Sequence, residues 1–405
     1  MAATELFRSA GYDWRLFCGP GAIEAQLLGA VRRQGARRAF VVCSPSINRR
    51  TDLVQRITAT LGGAYAGVFD GIENDSTYAS VQAATAAARA ADADLLIAVG
   101  GGSVIVAVRA VAVFLGEAGD PFDLMTQYSE NARPFSPRLE APKPPIVNIP
   151  TTPTSAMNRG GSGLKNPDLD HRMEYFDPKT RPCAIFLDDG ALLSAPASVL
   201  RSTATTVFAS LVATAGDPAE NPLVAGDLDQ ARRLGLPAYR RLTAEAEEPR
   251  VRRDLALAAF LQNRAEDDGR TMRSRGGFAS DYAVATALHL RYPEIGQGEA
   301  TAVLHAATIR HGTPPDAAAS AATARALDVW QDGMSPADAA AAIADGLERI
   351  YAEVGMPVRL RELPVPRDDL AKIAAETVKN FNASANLASP EARVANSLRV
   401  LEAAW

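Results

Sequence analysis

The stretch LIAVGGGSVIVAVRA, residues 96–110, decides how this chain is read. Its apolar start is too short for a buried helix and stops at glycine, which predicts a strand covered on both faces. Gly100, Gly101, Gly102 and Ser103 follow, and an apolar run of helical length begins behind them. Glycines at such a turn let backbone N–H groups approach an anion without interference from a Cβ. The dipole of the helix that follows also favours negative charge. The same residues fit a plain tight strand-to-helix turn, and a glycine turn alone does not choose between the two.

Outward from this stretch, short apolar runs alternate with helical ones. Strands are expected at 38–43, 64–69, 95–99, 145–150 and 183–187, with helices at 21–35 and 76–91. Strands alternating with helices of this length predict βαβ units and a mostly parallel sheet. After residue 189 the period turns helical, with helices expected at 196–214, 228–245, 250–267, 278–291, 298–311, 316–329, 335–354 and 367–380. The expected organisation is an α/β domain over residues 1–190 and an all-helical domain over residues 191–405, with the active site in the cleft between them. Asn148-Ile149-Pro150-Thr151-Thr152-Pro153-Thr154-Ser155 sets a group of hydroxyls directly after a strand, where open α/β sheets bind ligands. That second element favours the phosphate reading of the glycine turn.

Composition narrows the class. The 405 residues carry a net charge of -5 spread along the chain, which argues against a nucleic-acid surface. The pairs Arg32-Arg33, Arg37-Arg38 and Arg240-Arg241 read as solvated faces. No uncharged apolar run is long enough to span a bilayer. The N-terminal MAATELFRSAGYDWR is charged where a signal peptide needs an apolar run, so a cytoplasmic location is expected. Cys18, Cys43 and Cys183 are too few and too scattered for a disulfide framework or a zinc site.

The order of GGGS, a strand ending in PTT, an extended FDPKTRP…IFLD segment and a helical domain resembles the iron-containing alcohol dehydrogenase family, which is related in fold to dehydroquinate synthase. In the C-terminal half, YAVATALHLRYPEIGQGEATAVL (282–304) and PASVLRSTATTVFASLVA (196–213) resemble that family's histidine-bearing and aspartate-bearing segments. The resemblance implies a Rossmann-like, dehydroquinate synthase-like α/β domain and a nicotinamide cofactor lying across the glycine turn. Gly100, Gly101, Gly102 and Ser103 would hold its pyrophosphate, Thr151, Thr152 and Thr154 would line its path, and Asn74 would lie near the adenosine. Ser44 stands where NAD-preferring members often carry an aspartate. A serine does not repel a 2′-phosphate, and Arg49 and Arg50 lie close in sequence, so the expected cofactor is NADP or NAD, leaning to NADP. The arginine pair also fits a solvated helix start. The resemblance is compatible with a homodimer.

The departures from the family pattern are informative. In the family's GGGSxxDxAK, Val106 replaces the acid and Arg109 the lysine. The family's metal is held by one aspartate and three histidines. Those positions fall on Thr206, Ser210, Tyr282 and Gln297, and a further histidine credited with proton relay falls on Thr286. Alcohols, a phenol and an amide are poor ligands for a transition metal, so no metal is expected. Tyr282 is the candidate general acid, with Thr206, Ser210 and Gln297 orienting the substrate. His289, seven residues from Tyr282, is the best candidate for a titrating group, though a satisfied core or interface histidine is the more ordinary reading of it. Arg273, Arg275 and Asp281 are candidates at the cleft entrance.

Three readings follow. The first is a metal-independent NAD(P)-dependent alcohol dehydrogenase or carbonyl reductase acting on a small molecule, for which members of the family described as metal-independent, such as maleylacetate reductases, are a precedent. The second is a non-redox lyase, cyclase or isomerase that reuses the cleft. The third is a catalytically silent nucleotide-binding relative.

Overall fold

The computed structural model describes residues 7–128, 134–218, 221–269, 277–278, 282–378 and 389–405. Two compact units divide the chain at Pro196/Ala197: Tyr12–Pro196 forms one, and Ala197–Trp405 with the segment up to Gly11 forms the other. Ser9 ties that N-terminal segment to the helical unit by donating to Asp268 Oδ1 at 2.5 Å.

The first unit runs β1 (Arg15–Gly19), α1 (Ala22–Arg33), β2 (Ala39–Cys43), α2 (Pro45–Arg50), α3 (Leu53–Leu61), β3 (Tyr65–Phe69), α4 (Tyr78–Ala90), β4 (Leu95–Gly100), α5 (Gly102–Gly116), α6 (Pro121–Leu124), β5 (Ile146–Pro150), β6 (Gly161–Leu164), β7 (Met173–Phe176), β8 (Ala184–Asp188) and α7 (Asp189–Leu193). Six strands make one parallel sheet in the order β1-β8-β5-β4-β2-β3, and β6 pairs antiparallel with β7 as a separate hairpin. Strands β2, β4, β5 and β8 are buried along their whole length. They need two covered faces, which is why they read as unbroken apolar runs. Alternate residues supply the two cores. Leu96, Ala98 and Ile146 pack with α4 and α5, while Ile97, Val99 and Val147 pack with α1 and α3.

The chain lays β2 and then β3 outward from β4, returns to β4, and continues through β5 on the other side. The connections leaving the neighbours β2 and β4 therefore run in opposite directions at the carboxyl edge of the sheet, the position where open α/β sheets build their sites, and β5 ends beside β4 there.

Among the described residues the second unit is helical: α8 (Ala197–Ala213), α9 (Pro222–Arg240), α10 (Pro249–Asp267), α11 (Tyr282–Arg291), α12 (Gln297–His311), α13 (Ala317–Ala326), α14 (Pro336–Glu353), α15 (Leu370–Glu376) and α16 (Pro390–Ala404). No helix among the described residues is long and apolar enough to cross a membrane. Phe208, Tyr239, Leu255, Ile343 and Tyr351 centre its largest core.

Several elements differ from the pattern read in the sequence. β1 and the β6–β7 hairpin were not anticipated, because β1 is a half-buried edge strand and the hairpin strands have four residues each. The helix expected at 228–245 begins at Pro222, where Asn221 Oδ1 accepts the Leu223 N–H at 3.0 Å and proline occupies the first turn. The helix expected at 316–329 stops at Ala326, and Asp328 turns left-handed (φ 61°). The helix expected at 367–380 is a 3₁₀ turn at Arg367–Asp369 followed by α15, and its last two residues lie outside the described residues.

Candidate functional site

The α/β unit brings the two sequence motifs into contact. Gly100 ends β4 directly opposite Pro150, which ends β5, and Thr151 N–H donates to Gly100 O at 3.1 Å. Close approach is why glycines stand here. A Cβ on Gly100 would lie 2.7 Å from Val104 Cγ2, one on Gly101 3.2 Å from Thr152 Oγ1, and one on Gly102 3.1 Å from Thr154 Oγ1. Gly101 caps α5 without a side-chain hydrogen bond, so the cap residue itself offers the first-turn N–H groups no acceptor.

Thr151, Thr152 and Thr154 are all buried. Thr154 Oγ1 accepts the Ala156 N–H at 3.1 Å, whereas Thr152 Oγ1 is buried with no hydrogen-bond partner. A buried orphan hydroxyl beside uncapped helix amides is a set of donors waiting for an anionic oxygen. Ser103 lies in the first turn of α5, where its Oγ accepts the Asp75 N–H at 3.1 Å.

The outer residues of this edge are less committed. Ser44 follows β2 and places its Oγ 3.0 Å from Ser46 Oγ. Arg49 and Arg50 end α2 exposed, and Asn74 is exposed in the turn before Asp75. Asn48 Nδ2 donates to Asp70 Oδ2 at 3.0 Å, which puts a carboxylate after β3 that sequence reading missed. Val106 is half-buried against the α5 core. Arg109 is fully buried and donates to Arg159 O at 2.7 Å, pinning the segment after the threonines to α5. Burial, with Arg159 and Arg181 nearby, pushes its guanidinium down to about 9.

In the helical unit, Ser202, Thr206 and Ser210 recur every fourth residue and so share one stripe of α8. Ser202 Oγ donates to Glu299 Oε2 at 2.6 Å and accepts the Gly298 N–H at 3.3 Å. A Cβ on Gly298 would lie 2.0 Å from Ser202 O, so only glycine lets the start of α12 press this closely on α8. Gln297 opens α12 at that contact, and its Nε2 is buried without a partner. Thr206 Oγ1 donates to Thr203 O at 2.8 Å. Its neighbour Thr205 points the other way, into the core, with its Oγ1 2.6 Å from Tyr239 Oη. Thr206, and not Thr205, therefore lies on the stripe with Ser202.

Tyr282 opens α11 with 49% of its side chain exposed. Thr286 follows one turn on, its Oγ1 buried without a partner. His289, a further turn along, sets Nδ1 2.6 Å from Ile295 O, which ties the end of α11 to the turn before α12. Arg273, Arg275 and Asp281 lie outside the described residues. Among the described residues no three His, Cys, Asp or Glu side chains converge to hold a metal ion. His305 is a core residue: its Nδ1 lies 2.7 Å from Tyr351 Oη, and burial lowers the imidazole to about 4.

A parallel sheet with a glycine turn at its carboxyl edge, followed in the chain by a helical unit, defines an α/β protein of the open-sheet type with an appended helical domain. The chain belongs to the iron-containing alcohol dehydrogenase family. The family's profile matches residues 14–189, and the profile of the family's C-terminal region matches 221–404. Members of this family of oxidoreductases use NAD(P) and typically bind iron or zinc.

Maleylacetate reductase 2 of Cupriavidus pinatubonensis (strain JMP 134 / LMG 1197) is 32% identical over 226 residues, which is 55% of this chain and 54% of that protein, so the match spans about half of each. The 1,3-propanediol dehydrogenase of Citrobacter freundii is 24% identical over 375 residues, 91% of this chain and 92% of its own length. Among solved structures, a 1,3-propanediol oxidoreductase superposes with a TM-score of 0.82 at 22% identity, covering 99% of this chain and 100% of the other. The maleylacetate reductase of Agrobacterium tumefaciens superposes with a TM-score of 0.72 at 18% identity, covering 98% and 99%. These structural likenesses establish the fold.

Proposed function

We propose that the protein is an NAD(P)-dependent alcohol dehydrogenase or carbonyl reductase that handles its substrate oxygen through neutral hydrogen-bond donors and without a metal ion. One observation carries this reading. Gln297 and Thr286, which stand where the resemblance puts imidazoles, present buried uncharged polar atoms with no partner. Buried polar groups are rarely left unpaired, and these two are free to meet a bound oxygen. Thr206, Ser210, Tyr282 and Gln297 offer hydroxyls, a phenol and an amide. That donor set does not fit a divalent iron or zinc, which takes imidazole, thiolate or carboxylate.

The reduced nicotinamide supplies the hydride when bound. In the carbonyl-reducing direction this chain's own part would be to hold the carbonyl and to give its oxygen one proton as the hydride adds to the carbon. The products are the alcohol and the oxidised coenzyme. Tyr282 is assigned the proton delivery as general acid, and its half-exposed position supports resupply from solvent. Thr206, Ser210 and Gln297 are assigned the orientation of the substrate, each donor worth about 3 kcal/mol in a dry site. On the coenzyme side, the amides of Gly101, Gly102 and Ser103 with Thr152 are assigned the diphosphate. Ser44 and Asn74 are assigned the adenosine end, and the lack of a carboxylate at Ser44 supports acceptance of NADP. The partial likeness to a maleylacetate reductase supports a small carbonyl substrate.

Fluorescence titration of the purified protein with NADH and NADPH, paired with metal analysis, tests the reading. Saturable coenzyme binding with less than stoichiometric iron or zinc is expected. Binding of neither coenzyme would move the assignment to a non-redox enzyme or a silent relative. A stoichiometric metal ion whose removal abolishes turnover would overturn the metal-free chemistry.

A further inference from the structure

We infer that Asp75 and Arg172 are positioning residues for the phosphate-binding turn: their ion pair holds the Asp75 amide against Ser103, which turns the Ser103 hydroxyl to donate toward the coenzyme's diphosphate. This inference rests on the coenzyme reading above. The helix end it serves has its own sign of a ligand, the buried, partnerless Thr152 hydroxyl set against Gly101.

The turn before α4 is held in an uncommon conformation. Asp75 and Ser76 are consecutive non-glycine residues in the left-handed region, at φ 65° and 54°. Such a turn persists only where its surroundings over-determine it. Arg172, from the loop between β6 and β7, makes a short ion pair with Asp75 Oδ1, and its Nη1 donates to Gly163 O at 3.2 Å. The Gly163 contact anchors the guanidinium to β6. Ser76 is held from both sides: its Oγ donates to Ser103 O at 2.6 Å and its carbonyl accepts the Lys165 N–H at 3.2 Å.

The consequence falls on one hydroxyl. Asp75 N–H donates to Ser103 Oγ at 3.1 Å and occupies a lone pair there. A serine hydroxyl has one hydrogen and two lone pairs, so this bond biases the hydrogen to point away from Asp75. A phosphate oxygen, which only accepts, meets a donor already turned toward it. An unheld hydroxyl would have to be ordered on binding.

The test is a double-mutant cycle read by coenzyme affinity. Arg172→Met is expected to raise the Kd for NADH or NADPH about tenfold, the loss of one charge-assisted hydrogen bond. Turnover at saturating coenzyme and the KM for the carbonyl substrate should stay unchanged, and Arg172→Lys should recover part of the loss. In a Ser103→Ala background, Arg172→Met should add less than about twofold, because the group it positions is gone. Asp75→Asn, which keeps the amide and tolerates the left-handed turn, is expected to weaken binding in the same direction and carries the test if Arg172→Met does not fold. Unchanged affinity in these variants, or an Arg172→Met effect just as large without the Ser103 hydroxyl, would overturn the inference while leaving the coenzyme reading intact. Wild-type protein that binds neither coenzyme would overturn both.

Discussion

Thr152 Oγ1 stands 3.2 Å from where a Cβ on Gly101 would be, and no group among the described residues hydrogen-bonds to it. A buried hydroxyl without a partner costs stability, and on the proposed function the coenzyme diphosphate is the group that completes it. Thr152→Val keeps the shape and removes the orphan. The apoprotein should be as stable as wild type or up to about 1 kcal/mol more stable, while coenzyme binding weakens about tenfold. Thermal melts with and without coenzyme check both arms. A variant that loses stability but keeps its affinity would show that Thr152 serves the fold alone.

The helical unit allows a matching experiment. Tyr282→Phe should lower turnover by about a hundredfold without loss of folding, the usual scale for removing a general acid. Gln297→Leu should lower turnover about tenfold or more while leaving stability unharmed, since its buried Nε2 bonds nothing in the structure. Steady-state kinetics and circular dichroism separate these outcomes. Full activity in Tyr282→Phe would remove the phenol from the mechanism.

Coenzyme choice is open to a single substitution. Ser44 sits just past β2, in the sequence before the exposed arginines that end α2, and Asp70 after β3 accepts a bond from Asn48 of α2. Ser44→Asp should shift the ratio of NADPH to NADH affinity toward NADH by about tenfold, through repulsion of the 2′-phosphate and hydrogen bonding to the ribose. An unchanged ratio would place the adenosine ribose away from Ser44.

Acid stability should carry the mark of His305. Its folded imidazole titrates near 4, below the 6.5 of an unperturbed histidine, because burial disfavours the charged form. A depressed histidine pKa means that the unfolded chain binds the proton first. Stability is therefore full above the unfolded value and is lost as pH falls from there toward 4. Between pH 7 and pH 5 this group should account for about 2 kcal/mol. Denaturant melts of wild type and His305→Gln at both pH values test it, and the variant should lose that much less on acidification. Equal losses would assign the acid sensitivity to other groups.

The candidate site was legible to different depths. GGGS and PTT could be read because each is local: a glycine run after a buried strand and hydroxyls after another. Which threonine of the pair 205 and 206 faces the α8 stripe could not be read, because helical period alone does not say where the core lies. Tyr239, 34 residues away, decides it by receiving Thr205. Asp75 and Arg172 were invisible as a pair, since a loop before α4 and a loop between two short strands share no periodicity. The clamp of Ser202 on Glu299 and Gly298 likewise spans two helices.

By itself, the amino-acid order determined the buried central strands, most of the long helices and the fold class, because strand and helix follow from the spacing of apolar residues and from the glycines and prolines that end each run. Tertiary structure alone decided which polar atoms are spoken for. Register sets Gly100 opposite Pro150 and brings two distant motifs to one edge of the sheet, and packing leaves Thr152 in the α/β unit, and Thr286 and Gln297 in the helical unit, buried without partners among the described residues. The physical reason is that periodicity is a property of neighbours along the chain, whereas hydrogen-bond satisfaction is a property of neighbours in space.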